Sequence, residues 1–149
     1  MLSQRIIFWI DATPVAQPRV KAASRGGHSM VYTPRGKVDT FKAAAQFAAR
    51  SAYQGKPMDC PLRVDVEFVF PRPKSILWKT KPMPRLRHCK KPDTDNLQKA
   101  LFDALNELIW RDDALICDGR SQKFIAAGDE QPGVRVVVTP LDVELDACD

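Results

Sequence analysis

Acidic side chains bracket a short amphipathic segment near the middle of the chain. Asp93 and Asp95 stand two positions apart at its start, Lys99 follows one turn later, and Asp112 and Asp113 come after its end. Carboxylate oxygens are hard ligands that suit Mg²⁺ or Mn²⁺, which usually keep several waters and also bind substrate phosphate oxygens. These residue types predict metal-assisted hydrolysis of a phosphodiester, in which Lys99 adds positive charge where negative charge develops.

The segment between the acidic pairs has the periodicity of a helix with one buried face. The buried stripe is predicted to be Leu97, Leu101, Ala104, Leu105 and Leu108. Asp95, Lys99 and Asn106 are predicted on the opposite side, with Asp103 at its edge. An aspartate and a lysine one turn apart are thus expected to face solvent together.

Each of these side chains also has a purely structural explanation. Asp93 or Asp95 can serve as an N-cap, and Asp95 with Gln98 has the form of a capping box. Lys99 can be an ion-pair partner within the helix, a contact that contributes only about 0.2–0.5 kcal/mol. The trailing acidic pair can form a polar turn, although it opposes the helix dipole unless a cation lies nearby.

The helix itself separates the two acidic pairs. A helix of about 15 residues spans about 22 Å, so its ends lie far apart. Asp93, Asp95 and Asp113 converge only if the chain after Trp110 folds back along the helix, or if the second acidic pair comes from another chain. The sequence is compatible with both arrangements.

Basic residues are concentrated in the first part of the chain. Residues 1–91 hold 18 Lys and Arg against 5 Asp and Glu, whereas residues 92–149 hold 5 against 13, within a net charge of +5. Such a basic excess is typical of polyanion binding, although it also fits a solvated surface. A basic flank beside an acidic pocket suits a nuclease, because the acidic pocket alone would repel DNA.

The elements that position these residues are predicted in the order β-α-β-α-β-β. Apolar and β-branched runs indicate strands at residues 5–11 and 61–70, and short β-like pieces at residues 114–119, 120–128 and 133–140. Gly119 is predicted to separate two short strands, and residues 128–133 to form a turn suited to a hairpin. The expected fold class is α/β (α+β), a small mixed sheet with two main helices.

The remaining segments are a first helix, two basic loops and an acidic end. The helix is predicted with Asp39 or Thr40 as its N-cap and Gly55 as its stop. Residues 14–37 and 71–92 lack periodicity and predict long basic loops, the second one mobile. The last residues, LDVELDACD, either prolong the final strand or fray into solvent.

Bulk properties exclude several protein classes. A chain of 149 residues fits one domain, and we expect residues 1–149 to form one. Its apolar runs are too short for a transmembrane helix or a signal peptide, so we expect a cytoplasmic protein without a membrane partner. Four cysteines and two histidines lack the spacing of a zinc site or a disulfide framework, so free thiols are expected.

The acidic segment also resembles a known family. KPDTDNLQKALFDALN, followed by WRDDALI, is similar to the pattern K-P-D-x-D-N-L-x-K-x-x-x-D-A-L-N with a D-D-x-x-[VI] segment. This pattern is that of the RusA Holliday junction resolvases of bacteria, prophages and phages. Weaker similarity in PVAQPRVKA, VYTP and PKS extends the resemblance over most of the chain, but not to its C-terminal end.

The resemblance implies roles for individual residues. Asp93, Asp95 and Asp113 match the family's metal-binding carboxylates, with Asp112 as an adjacent candidate, and Lys99 matches its catalytic lysine. It further implies a RusA-like domain, Mg²⁺ or Mn²⁺, a homodimer, and paired symmetric nicks in four-way DNA junctions during recombination and repair. A four-way junction is close to two-fold symmetric, so an isologous dimer offers identical sites to two opposed strands.

Basic side chains in the two loops are candidates for phosphate contacts that position DNA without reading its sequence. They are Arg19, Lys21, Arg25, Arg35 and Lys37 in the first loop, and Lys74, Lys79, Lys81, Arg85, Arg87, Lys90 and Lys91 in the second. Trp78 either stacks on an exposed base at the junction centre, a contact that contributes about 1–3 kcal/mol, or packs its loop onto the body.

Two other functions are alternatives to junction resolution. A nuclease of other branched or flapped DNA would use the same carboxylates and lysine. A non-catalytic DNA-binding protein with a structural acidic cluster does not explain why Asp93, Asp95, Lys99 and Asp113 occur together.

Overall fold

The computed structural model describes residues 4–18, 21–32 and 36–145. The strands are Ile6–Ile10 (β1), Lys21–Arg25 (β2), His28–Tyr32 (β3), Leu62–Phe70 (β4), Leu86–Arg87 (β5), Ile116–Ile125 (β6) and Gly133–Pro140 (β7). The α-helices are Lys37–Ala52 (α1) and Thr94–Leu105 (α2), and 3₁₀ turns lie at Lys74–Ile76 and Asp113–Leu115. Five strands form one mixed sheet in the order β1-β7-β4-β6-β5, and β2 pairs with β3 in a separate ribbon. The predicted class, a mixed sheet with two main helices, is confirmed.

β4 is the central strand, and it buries apolar side chains along one whole face. Leu62, Val64, Val66 and Phe68 are all buried, at every second position. β4 runs parallel to β6 and antiparallel to β7, which in turn pairs antiparallel with β1. The alternation that predicts this strand from sequence therefore identifies the side of the sheet on which the core lies.

Both helices cover this same face and share one core with it. Phe41 and Ala45 of α1 and Leu97, Leu101 and Leu105 of α2 belong to one buried cluster with inward-facing residues of the sheet. The predicted apolar stripe of α2 is therefore the face that packs on the sheet. Within the described part of the chain, neither helix has the length and apolar character needed to cross a membrane.

α1 begins earlier than predicted. Gly36, and not Asp39 or Thr40, occupies the N-cap position, with a φ of 109° that favours glycine. Asp39 lies in the first turn instead, where a negative charge is favourable to the helix dipole. The helix ends at Ala52.

β6 runs unbroken through Gly119, so the prediction of two short strands is wrong. A Cβ atom at Gly119 would come within 2.9 Å of Nε2 of Gln98, which is closer than real Cβ contacts allow. The glycine therefore permits close packing between strand and helix, and it does not terminate the strand.

The turn between β6 and β7 does not form the predicted hairpin. The two strands lie on opposite sides of β4, so the loop between them crosses the end of that strand. This arrangement gives the central strand β4 a hydrogen-bonding partner on both edges. β7 ends at Pro140; residues 141–145 add no strand, and residues 146–149 lie outside the described part.

The two segments predicted as basic loops contain additional structure. The first includes the β2–β3 ribbon, and the second includes a 3₁₀ turn and β5, which pairs with β6. Arg72 ties the second loop together, since its Nε donates to the Ile76 carbonyl at 2.7 Å and its Nη1 donates to the Pro84 carbonyl at 2.8 Å. Arg85 forms an ion pair with Glu130 in the loop before β7. Arg72 and Arg85 thus fix the second basic loop in place. The composition of the loop does not predict these contacts.

Candidate active site

The leading carboxylates lie at the N-terminus of α2. Asp93 is the N-cap residue by position, with extended backbone, but its side chain makes no capping hydrogen bond. Asp95 lies in the first turn, where its Oδ1 accepts a hydrogen bond of 2.9 Å from the backbone N–H of Asn96. Both side chains are exposed, and the helix dipole favours their negative charge.

The capping-box alternative for Asp95 is wrong. The side chain of Gln98 turns toward the sheet, where its Oε1 accepts a hydrogen bond of 2.7 Å from the Ser121 hydroxyl. A capping box would need that side chain at the helix start. Asp93 therefore makes no capping hydrogen bond, and Asp95 uses only Oδ1, which accepts from the Asn96 N–H.

The segment before these carboxylates is held by two other elements. On one side, the backbone N–H of Gln17 donates to the Asn96 carbonyl at 3.0 Å. On the other side, Lys123 of β6 donates from Nζ to the carbonyls of Lys90 and Pro92, the latter at 2.8 Å. A cavity of about 460 Å³ opens here, lined by Gln17, Lys91, Pro92, Asp93 and Asn96.

Lys99 lies one turn after Asp95 and is exposed, as predicted. No salt bridge joins it to an acidic group of the described residues, so the explanation as an intrahelical ion pair is not supported. Asp103 is exposed another turn along the same row. Asn106 is excluded from this face because its Oδ1 accepts a hydrogen bond of 2.8 Å from Nε1 of Trp110.

Asp112 and Asp113 lie just before β6, beyond the C-terminal end of α2. The N–H of Ala114 donates to Oδ1 of Asp112 at 3.0 Å, and this bond lowers the pKa of the Asp112 carboxyl. Partial burial raises the pKa of Asp113, and the neighbouring Asp112 and the charge of Asp103 raise it further. Asp103, Asp112 and Asp113 thus form one electrostatically linked acidic group.

The structure does not bring this group to Asp93 and Asp95. The chain does fold back along α2, but Ser121 is the residue that reaches Gln98, and Lys123 is the residue that reaches Pro92. Across the described residues, no three His, Cys, Asp or Glu side chains come together as a set that could hold a metal ion. One chain therefore presents two acidic groups: Asp93 and Asp95 at the start of α2, and Asp112 and Asp113 near Asp103, which follows Asp95 by eight residues or about 12 Å along the helix axis.

No cysteine of the described residues belongs to a set of side chains that could hold a metal ion. Cys60, Cys89 and Cys117 are free, and only the first is partly buried. The ring of His88 lies 4.6 Å from that of Phe70, between centroids, which shows that it packs against β4.

The basic residues proposed for DNA contact differ in their exposure to solvent and in whether they form salt bridges. Those that are exposed and in no salt bridge of the described part are Lys74, Lys79, Lys81, Arg87, Lys90 and Lys91. Arg85 is already paired with Glu130 and Glu67 and lies 4.8 Å from the centre of the Phe124 ring. Lys37 is exposed on α1, Lys21 and Arg25 lie on β2, and Arg19 and Arg35 lie outside the described residues.

Sequence reasoning missed two cations that shape this end of the molecule. Lys123 supports the carbonyl groups before Asp93, and Arg72 organises the second basic loop. Neither lies in a recognisable motif. Lys123 acquires its position from the parallel pairing of β6 with β4, a long-range register that spacing along the chain does not encode.

Comparisons with known proteins identify the family of the chain. The chain is 35% identical over 141 residues to the uncharacterized protein YqaN of Bacillus subtilis (strain 168), in a match that covers 89% of this chain and 94% of that protein. Residues 11–139 match the family Endodeoxyribonuclease RusA, whose members are in general metal-dependent nucleases that act on branched DNA. The matched region includes α2 and both acidic groups. The chain belongs to the RusA endodeoxyribonuclease family.

Proposed function

We propose that this protein is a Mg²⁺-dependent endonuclease that resolves Holliday junctions by paired symmetric nicks in DNA recombination and repair. The observation that carries the proposal is the exposed row at the start of α2, where Asp93 and Asp95 are followed one turn later by Lys99, which forms no salt bridge with the described residues. Membership of the RusA family supports it. Exposed cations in the loop before α2 add a surface for the DNA backbone.

The donor set fits a small hard cation. Asp93 and Asp95 offer carboxylate oxygens without a capping bond at Asp93, and Mg²⁺ needs only one or two protein carboxylates when waters and phosphate oxygens complete its shell. Asp113 would complete the protein ligands, with Asp112 as the alternative. Mn²⁺ would fit the same oxygens. When bound, the cation supplies an activated water and neutralises charge on the phosphate.

The residues of the chain have separate tasks in this reaction. Lys99 places a positive charge beside the scissile phosphate, where negative charge increases in the transition state. The basic residues of the loop before α2 hold the backbone in position and contribute affinity that does not depend on sequence. Lys123 and Gln17 fix the backbone around Asp93 and so orient the carboxylates.

The separation of the two acidic groups supports a homodimer. Of the two arrangements compatible with the sequence, folding back within one chain leaves Asp113 at the far end of α2, so we assign it to the site of the partner chain. In an isologous dimer with antiparallel α2 helices, Asp93 and Asp95 of one chain would lie near Asp113 of the other. The two-fold symmetry would create two such sites. The same symmetry suits a substrate with two opposed strands.

Cleavage of defined DNA substrates tests the function. The protein is incubated with a synthetic four-way junction, a flap and a linear duplex, with Mg²⁺ or with chelator. Symmetric nicking of the junction alone, dependent on Mg²⁺, is the expected result. Equal cutting of flap and junction would instead indicate a nuclease of branched DNA in general. Binding without cleavage under Mg²⁺ or Mn²⁺ would indicate a non-catalytic DNA-binding protein.

A further inference from the structure

An apolar pair projects from the second basic loop. Leu77 and Trp78 follow the 3₁₀ turn, and 51% of Leu77 and 37% of Trp78 are exposed. Lys74, Lys79 and Lys81 around them are exposed as well. The exposed part of the indole is thus accessible to a ligand.

The orientation of the indole is set before any ligand arrives. The guanidinium of Arg72 lies 5.0 Å from the centre of the Trp78 ring, and the ammonium of Lys81 lies 5.8 Å from it, both within the range of cation–π attraction. Arg72 is itself fixed by hydrogen bonds to loop carbonyl groups. The backbone N–H of Trp78 also donates to Sδ of Met83 at 3.2 Å. A preoriented ring loses little conformational entropy when it binds.

The loop lies at the same end of the sheet as Asp93 and Asp95. It leaves the sheet at Phe70, where β4 ends, and returns through β5, whose Leu86 pairs with Ile125 at the end of β6. Lys123, two residues earlier on β6, contacts the Pro92 carbonyl before α2. Aromatic surface, exposed cations and the leading carboxylates therefore share one end of the molecule.

We propose that Leu77 and Trp78 form a stacking platform for an unpaired base of branched DNA. The lysines around the platform suit the phosphates that flank such a base, and an aromatic face accepts any base because every base has a π-face. In a linear duplex the base faces are already stacked on one another, so the platform adds affinity only where a branch exposes one. The platform rests on the proposed function, because its ligand is the branched substrate of the same site.

Binding without cleavage tests the platform. The full chain is titrated, in chelator, with a synthetic four-way junction, a matched linear duplex and an oligo-dT single strand. Trp78→Leu keeps apolar bulk but removes the aromatic face, whereas Trp78→Phe keeps a ring. Trp9→Phe is the matched control, since Trp9 is 40% exposed but lies on β1, at the other edge of the sheet. Thermal unfolding shows whether each variant is folded.

The platform predicts that Trp78→Leu weakens binding of junction and single strand by about 5- to 100-fold, the loss of one stack, and leaves duplex binding unchanged. Trp78→Phe should retain most of the affinity. Tryptophan emission should be quenched by single strand in the wild type and in Trp9→Phe, but not in Trp78→Phe.

Three results would each overturn the platform: unchanged junction affinity in Trp78→Leu, equal weakening of duplex and junction binding in Trp78→Leu, or quenching that persists in Trp78→Phe. The measurement separates the platform from the nuclease function. A protein that stacks bases on Trp78 yet cuts no junction would keep the platform and lose the function. If the Trp78→Leu variant binds junctions with unchanged affinity and cuts them normally, the nuclease function stands and the platform is wrong.

Discussion

The hydroxyl of Ser121 donates a hydrogen bond of 2.7 Å to the side-chain oxygen of Gln98, and this bond joins β6 to the first half of α2. It shows how the chain returns after Asp113. The strand passes back along the helix, but the aspartate stays at the C-terminal end, beside Asp103. Packing within one chain therefore keeps the two acidic groups apart.

Gly119→Ala should destabilise the protein through this contact. The added Cβ would come 2.9 Å from Nε2 of Gln98 and displace the side chain that accepts from Ser121. Because the flexible Gln98 side chain can move aside, the main cost is the lost hydrogen bond, which is expected to lower the free energy of unfolding by about 0.5–1.5 kcal/mol, measured by urea denaturation. In a Gln98→Ala background the same substitution should be less harmful, because the clashing group is gone. An equal loss in both backgrounds would show that the destabilisation has another source.

Asp95→Asn should abolish cutting of a four-way junction and leave junction binding intact or slightly stronger. The substitution removes a ligand for the cation but also one negative charge that repels DNA. Cleavage assays with Mg²⁺ and anisotropy titrations in chelator measure the two effects separately. Asp129→Asn, in the exposed loop before β7, is the control and should behave as the wild type. Loss of binding together with cutting would point to a structural role for Asp95.

Lys99→Gln should slow single-turnover cleavage by about 100-fold or more, the usual effect of removing a group that stabilises developing charge. Affinity for the junction should change little, since one exposed cation among many contributes a small part of the electrostatic attraction. Lys56→Gln changes another exposed lysine, just after the end of α1, and is the matched control. If the two variants cut equally fast, Lys99 has no catalytic role.

The Arg85–Glu130 pair predicts a pH-dependent stability. Arg85 holds the pKa of the Glu130 carboxyl below its ordinary value of 4.5. The stabilisation is therefore fully present above that value and is lost as pH falls through the lower pKa of the folded state. Glu130→Gln should lower stability at pH 7 by less than about 1 kcal/mol, because the pair is partly exposed. Unfolding midpoints of variant and wild type should converge in acid, and a constant difference at all pH values would disprove an ionic origin.

Local sequence patterns correctly predicted features that depend on residues close together in the chain. Alternation predicted β4, and helical periodicity predicted the buried face of α2 and the exposure of Asp95 and Lys99. The role of Gly119 was predicted wrongly because the sequence alone does not distinguish a glycine that ends a strand from one that allows a helix to pack closely on the strand. The pairing of β6 and β7 with β4, and the hold of Lys123 on Pro92, depend on contacts between distant segments that periodicity does not encode.

The site shared between two chains is tested most directly with a purified heterodimer. One chain carries Asp95→Asn and the other Asp113→Asn, each with a different affinity tag, and only dimers with both tags are assayed. If the acidic groups meet across the interface, one site of each heterodimer is fully mutated and the other is intact. Such heterodimers should therefore nick junctions on one strand, with about half the wild-type number of sites, in Mg²⁺. Heterodimers that bind junctions but never nick them, while the wild type cuts, would contradict a shared site.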